Sequence, residues 1–521
     1  MSANTVNDLE RSRRFICYGS DSGLLTVGNV PPSREKASSI GRLIDDGKGE
    51  TVVKQISTCF GENKYNYKPP LIFALAYCFK STDNKTKQAA CKAFEDICLE
   101  PTDLFHFVEY SKQMSDQHKG WGRSLRTLVS NWYNHKEPIE LLDLVTRFKS
   151  GCSWSHVDVL RLSHTNPAKD ETAIIIKYLM KGLAHAKTLA AENKCPLADQ
   201  IIKYLEAVEI VKHSTDEHQI SCLIEQFNLK KEHVPTKMQN SCEIWSALLN
   251  NISIVDVLLN VSKLAGLGVL NNGHHLLPAL IAKLSDENVL KEYGVGPISV
   301  LIALRNYEQG KGKLKWPRNE IVANALNAAF YKAVKNNVRP TKKRILIAIK
   351  IGYGLTISSV RGTLTLSSMI AAAGVATIFI QSEESTSLVY FSSAVKPLVT
   401  NKQMDIEKTC DAIAQAALPE IPVLACDVSA PIRWAQETKQ SYDAFIILTD
   451  SKDSTGLITP SSALQKYRQE MKLPKSKLVV CGLTAKHLHF ADPNDSGMLD
   501  IAGFDAMVPK TISNFLNDTG N

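Results

Sequence analysis

The sequence predicts a multidomain α plus α/β protein, with stacked helices over residues 1–340 and a doubly wound α/β domain over residues 341–521. Three observations carry this expectation. At 521 residues the chain exceeds what one hydrophobic core organises. From about Ser39 helical patterns follow one another with short polar breaks, and almost no stretch before residue 340 alternates as a strand does. After the polar break at residues 336–343, short apolar runs alternate with helical patterns, which is how a parallel sheet with crossover helices reads.

Residues 1–35 read as irregular, punctuated by Gly19, Gly23, Gly28 and the pair Pro31-Pro32. Residues 70–80 are apolar on all sides after an opening proline and predict a buried helix. Residues 85–99 are amphipathic, and Pro101-Thr102-Asp103 opens another helix. Further helical patterns cover 171–181, 199–212, 216–229, 241–249, 254–264, 276–284 and 297–307. Antiparallel pairs that bury their stripes against the next pair are the natural arrangement, although no fixed repeat period is visible. In the second part, 344–350, 376–381, 388–392, 444–448 and 477–482 read as strands, and 364–373, 404–416 and 461–471 as helices. A ligand site of such a sheet lies at the carboxyl ends of its strands.

Residues 119–167 concentrate the chemistry. On a helix, Trp121, Leu125, Leu128 and Trp132 share one face, leaving Arg123, Arg126 and Ser130 pointing away from it. A second helix is expected to start at Ser155, with Asp158 completing a capping box and Val157 and Leu160 as anchors. Arg161 and His164 then lie one turn apart near its end. Guanidinium and imidazole groups beside Trp and Tyr suit phosphate and base contacts. Two ordinary amphipathic helices with solvated arginines would read the same way.

Composition narrows the classes. A 44% hydrophobic and 22% charged content is that of a folded chain, and no apolar run approaches the ~20 residues that span a bilayer. The opening Met-Ser-Ala-Asn-Thr-Val-Asn-Asp-Leu-Glu has no basic start and no apolar core, so no signal peptide and no membrane partner are expected. Twelve cysteines without a Cys-x-x-Cys pair suggest reduced thiols in the cytoplasm rather than disulfides or a zinc site. Of the formal charge of +8, all but one unit lies before residue 341, without any dense basic run, so an anion site has to be assembled by folding. No catalytic motif stands out. Gly41 to Gly47-Lys48 mis-spaces a phosphate loop, and Gly49 replaces its hydroxyl residue. His487 and His489 lack a third metal ligand, and the Lys311, Lys313 and Lys315 loop before Trp316 reads equally as phosphate contact or solvated turn.

Several ordered motifs carry a resemblance. Trp121-Gly-Arg-Ser-Leu-Arg126, Trp132-Tyr-Asn134, Trp154-Ser-His156, Arg161-Leu-Ser-His164, Tyr204-Leu-Glu-Ala-Val-Glu209, Gly312-Lys-Leu-Lys-Trp316 and Ala329-Phe-Tyr-Lys332 resemble the TROVE domain of the Ro ribonucleoprotein (SS-A autoantigen) family. Trp434-Ala-Gln436, Val480-Cys-Gly482 and the segment from Ala491 to Asp500 are similar to the same family. The resemblance implies a ring of HEAT-like helical pairs followed by a von Willebrand A-like domain. It also implies a noncatalytic protein without a cofactor, cytoplasmic with the nucleus as a second location. Its expected partners are a Y-type small noncoding RNA on the outer face of the ring, and misfolded RNAs such as defective 5S rRNA with single-stranded 3′ ends in the central hole.

Carried over residue by residue, Arg147 matches the family's basic position, with Lys149 also basic, and His164 matches an RNA-contacting histidine; Arg123, Arg126 and Arg161 belong to the matched motifs. A further family arginine is here Gly151. The family's Asp-x-Ser-x-Ser metal motif is replaced by Lys350-Ile-Gly-Tyr-Gly354, so Lys350, Gly352 and Gly354 stand where a carboxylate and two hydroxyls are expected. Cys426 replaces a threonine, while Asp427 and Asp450 remain. Two carboxylates without hydroxyl ligands make a poor hard-cation site, and Lys350 is expected either to neutralise them or to turn to solvent. The competing reading is a protein-interaction scaffold with a decayed RNA surface and protein partners on the α/β domain.

Overall fold

A computed structural model describes residues 6–28, 30–115, 121–399, 401–402, 404–417, 427–450 and 453–518. Helices fill the first part, and neighbours in sequence pack on each other, as Lys68–Phe79 does on Asn84–Ile97 and Pro297–Glu308 on Glu320–Asn337. Helix Lys68–Phe79 is buried on nearly every side, as its unbroken apolar run requires. Most expected helices lie within a residue or two of their predicted bounds.

The N-terminal segment departs from expectation. It opens with helix Asp8–Tyr18, whose N-cap Asn7 accepts a hydrogen bond from Glu10 N at 2.9 Å, and which stops at Gly19 in the left-handed region (φ 80°). Strand Leu24–Thr26 then pairs in parallel with Met498–Ala502, at the far end of the chain. Three residues are too few to show a period.

The α/β domain is built on a seven-stranded sheet. Its spatial order is Leu24–Thr26, Met498–Ala502, Lys477–Gly482, Ala444–Thr449, Arg344–Lys350, Ser385–Phe391, Val395–Leu398. Only the last pair is antiparallel. Both faces are covered: Ile345, Ile347 and Ile349 join the core shared with the helical region, whereas Leu346 and Ala348 face a second core on the other side. That two-sided burial explains the continuous apolar strands.

Residues 364–373 were expected as helix and 376–381 as strand. Instead Thr363–Ser367 is a strand paired with Ser359–Val360, and Ser368–Ser382 is one helix buried along most of its length. It lies against helices Pro297–Glu308 and Glu320–Asn337, so closely that a Cβ at Gly374 would come 2.9 Å from Leu301. A helix surrounded by protein has no polar face, and its Val-Ala-Thr-Ile-Phe-Ile segment imitates a strand.

Candidate nucleic-acid interface

Helix Arg123–Asn134 buries Leu125, Leu128, Val129, Trp132 and Tyr133, and leaves Arg123 and Arg126 exposed. Trp121 precedes the helix rather than belonging to it, and its ring lies 5.8 Å from that of Trp154. Lys119 and Gly120 lie outside the described residues. The tryptophans are anchors and not free stacking platforms: Trp132 Nε1 donates to Cys98 O at 2.6 Å, and Trp154 Nε1 to Glu109 at 2.9 Å.

Helix His156–Ser163 starts as expected, with Ser155 and Asp158 forming a reciprocal capping box. Its anchors are His156, Val159 and Leu160, while Val157 is only half-buried, one residue out of the predicted register. The two helices pack side by side. Trp121 meets Trp154 at one end, and at the other Asn134 bonds the backbone of Asn166 and Ala168, at 3.0 and 2.9 Å. They therefore run in the same direction, so Arg123 and Arg126 sit near the start of the pair and Arg161 and His164 at its end. Arg161 and His164 are exposed. His164 caps the helix in the left-handed region (φ 51°), where a non-glycine residue carries a conformational cost.

The hairpin between helices Pro138–Arg147 and His156–Ser163 pairs Ser150–Gly151 with Trp154–Ser155. Its two turn residues, Cys152 and Ser153, both have positive φ (52° and 66°), the signature of a type I′ turn. Gly151 faces Phe105, and a Cβ there would come 3.2 Å from the ring. Gly151, where the resemblance leads one to expect an arginine, thus sits in a tightly packed position.

Arg147 and Lys149 have different surroundings. Arg147 bonds Asp143 at 3.1 Å and Glu232 at 3.2 Å and lies over the Phe148 ring, beside a cavity that Lys230 and Asp256 also line. Its charge is therefore largely answered within the protein. Lys149 is exposed, makes no ion pair among the described residues, and lines a second cavity with Lys212. Beneath them His156 Nδ1 accepts from Tyr133 Oη at 2.7 Å and its Nε2–H donates to Phe148 O at 3.0 Å. Burial pushes this imidazole down to about 4, so it is neutral. His233, which sequence reasoning missed, is also pushed by burial to about 4; it accepts from Lys230 N and bonds Thr146 Oγ1 at 3.0 Å.

The indole of Trp316 is buried and donates to Tyr307 O at 2.8 Å, so it ties down the lysine loop, leaving Lys311, Lys313 and Lys315 exposed around it. His487 and His489 are exposed.

At the carboxyl ends of the strands the residues do not fit a divalent cation. Lys350 is 1% exposed and its Nζ donates to Asp450 Oδ1 at 2.6 Å, with Asp450 itself 11% exposed. Gly352 (φ 148°) supplies no side-chain oxygen, and a Cβ on Gly354 would overlap the Asp450 carboxylate. Asp427 has a cation of its own, unlike the version in which one ammonium serves both carboxylates. It pairs with Arg433 and accepts from Ser429 Oγ at 2.6 Å. Each carboxylate already has its own cation. Cys426 lies outside the described residues.

Comparison with known proteins follows the same outline. Residues 2–309 match the TROVE domain family, and residues 344–516 match the Ro60 vWA domain. The chain is 30% identical to the RNA-binding protein RO60 of Caenorhabditis elegans, over 98% of this chain and 88% of that one. It is 27% identical to the RNA-binding protein RO60 of Deinococcus radiodurans, over 98% and 93%. The crystal structure of the Deinococcus radiodurans RO (RSR) protein is similar with a TM-score of 0.86 at 25% identity, covering 98% of this chain and 99% of that one.

Proposed function

The chain belongs to the TROVE-domain Ro60 family, and on that premise we propose that it is a noncatalytic RNA-binding protein of a small cytoplasmic ribonucleoprotein. In this reading it holds a Y-type small noncoding RNA and samples misfolded small RNAs, such as defective 5S rRNA, through their single-stranded 3′ ends. The observation that carries the reading is a set of exposed cations without internal counter-ions. Among the described residues Arg123, Arg126, Lys149 and Arg161 are exposed and have no ion pair, on neighbouring elements that also present His164. Guanidinium groups at fixed positions on packed helices suit phosphate contacts that position a strand.

Arg147 stands differently in this reading. Its two carboxylate partners offset its charge, so it supports the fold near the RNA face and contributes less to affinity than Lys149 does. The packing of Gly151 on Phe105 favours the competing reading, in which this face has lost RNA and the chain serves as a protein scaffold.

Binding of the full chain to a Y-type stem-loop RNA, followed as salt is raised, separates the two. With Lys149, Arg161 and His164 intact, log affinity falls linearly with log salt, by roughly 0.9 for each duplex phosphate neutralised. The variant Lys149→Ala with Arg161→Ala binds more weakly and with a shallower slope. An unchanged affinity and slope removes this surface from RNA binding.

A further inference from the structure

A cavity of about 500 Å³ opens between the end of helix Pro138–Arg147, the start of helix His156–Ser163, and helices Asp170–Lys181 and Ala198–His213. Its size is that of small-ligand sites, ~300–1,000 Å³. Val145, Val157, Leu179, Met180 and Leu183 give it apolar walls. The polar groups inside are mostly already satisfied. His156 is bonded through both ring nitrogens, Ser155 Oγ donates to Asp158 at 2.5 Å, and Tyr178 Oη donates to Glu209. Such a pocket takes an uncharged planar group by shape, with little reading of its edge.

The rim has the opposite character. Lys212 is held by Glu209 and by Tyr178 Oη at 2.7 Å, whereas Lys149 has no carboxylate partner among the described residues. The rim thus carries two ammonium groups and one carboxylate, which Lys212 occupies. Partial burial, and then the nearby Lys212 charge, hold the Lys149 ammonium below its usual range, so a bound anion would relieve an unfavourable position. An apolar pocket beneath an unbalanced cationic rim matches a base joined to a phosphate. The far end of helix His156–Ser163, where Arg161 and His164 stand, is about 12 Å away at 1.5 Å per residue. A stacked strand advances ~3.4 Å per nucleotide, so three or four nucleotides join the two places.

We propose that this cavity receives one unstacked nucleotide of a bound RNA, its base against Val145, Val157, Leu179, Met180 and Leu183 and its phosphate on Lys149 beside Lys212. The inference rests on the RNA-binding reading above and adds to it a pocket that selects an unpaired nucleotide with weak preference for base identity.

The test uses the full chain and fluorescein-labelled octauridylate, with an otherwise identical oligonucleotide carrying abasic positions as comparison. Wild-type protein binds octauridylate at least several-fold more tightly than the abasic oligonucleotide. Val157→Trp, which fills the cavity, removes that difference. Met180→Trp does the same from the opposite wall, and only variants whose circular dichroism and melting temperature match the wild type are compared. Lys149→Gln weakens both oligonucleotides and lowers the salt slope by about 0.7, one single-strand phosphate. Octauridylate containing 4-thiouridine crosslinks to the peptides that hold Val157 or Met180. Folded filled-cavity variants that still discriminate against the abasic oligonucleotide overturn the pocket alone, as do crosslinks confined to other peptides. Wild-type protein that binds neither octauridylate nor the Y-type stem-loop overturns both readings. Uridine monophosphate that binds as tightly as octauridylate overturns the proposal by making the cavity a free-nucleotide site.

Discussion

His156 and His233 show how burial fixes chemistry at single residues. Both are held neutral, near 4 against about 6.5 in the unfolded chain, because charging them costs desolvation that their neutral hydrogen bonds do not repay. Between those values the unfolded chain binds more protons than the folded one, so stability falls as pH drops from about 6.5 toward 4. Each imidazole contributes up to roughly 3 kcal/mol to that fall. Thermal melting from pH 7.5 to 4.5 therefore declines steeply for the wild type, and the double variant His156→Gln, His233→Gln, less stable at pH 7, declines less. At the strand ends, Lys350 and Asp450 form a buried pair. Lys350→Met leaves a carboxylate unpartnered and costs about 3–5 kcal/mol. Adding Asp450→Asn recovers much of that loss, whereas Asp427→Asn does not, because Asp427 has Arg433. Millimolar Mg²⁺ leaves the melting temperature unchanged; saturable binding that raises it would contradict this assignment. That the ligand positions of the first loop offer no side-chain oxygen was legible in Lys350, Gly352 and Gly354. The separate partner of Asp427 was not, since nothing local in sequence distinguishes a guanidinium six residues away as an ion pair or a solvated group. The second partner of Arg147 was not legible for a similar reason: Glu232 lies far away in the chain.

Among the elements, the hairpin of residues 150–155 joins the basic surface to the cavity. Its type I′ turn places Cys152 and Ser153 at positive φ, which Asn-Gly tolerates with less strain. Cys152→Asn with Ser153→Gly stabilises the protein by about 1 kcal/mol, seen as a higher denaturation midpoint in urea with an unchanged slope. RNA affinity that rises with it would show that hairpin order limits binding. Helix His156–Ser163 was legible down to its capping box because Ser155 and Asp158 act within four residues. Helix Ser368–Ser382 was not, because its neighbours, which the local sequence does not record, remove the polar face that betrays a helix.

On the scale of the whole molecule, the two parts of the chain are bound at both ends of the helical series. Strand Leu24–Thr26 enters the α/β sheet, and Arg14, 2% exposed, donates to Pro493 O at 3.0 Å and Asp495 O at 2.5 Å. Helices Pro297–Glu308 and Glu320–Asn337 pack on helix Ser368–Ser382 of the same domain. The α/β domain is thereby the piece that joins the first and last helices. Arg14→Leu removes the buried donor to Asp495 O, leaving that carbonyl only the longer bond from Met498 N at 3.3 Å, and costs about 1–3 kcal/mol. Hydrogen exchange then rises first in strands Leu24–Thr26 and Met498–Ala502, before the central strands. The division into helical and α/β parts was visible in the change of pattern near residue 340. The return of the N-terminus was not, since three strand residues and one arginine find partners more than 400 residues later. This joined scaffold holds the cationic helices in fixed positions, and in the proposed function they hold RNA. The most direct measurement is ultraviolet crosslinking of the full chain in its own cells, followed by sequencing of the attached RNA. The expected result is enrichment of one or a few small structured noncoding RNAs of Y type, with misfolded 5S rRNA as a lesser class, reduced by Lys149→Ala with Arg161→Ala. RNA recovery no greater than in unirradiated cells, or unchanged in that variant, would contradict it.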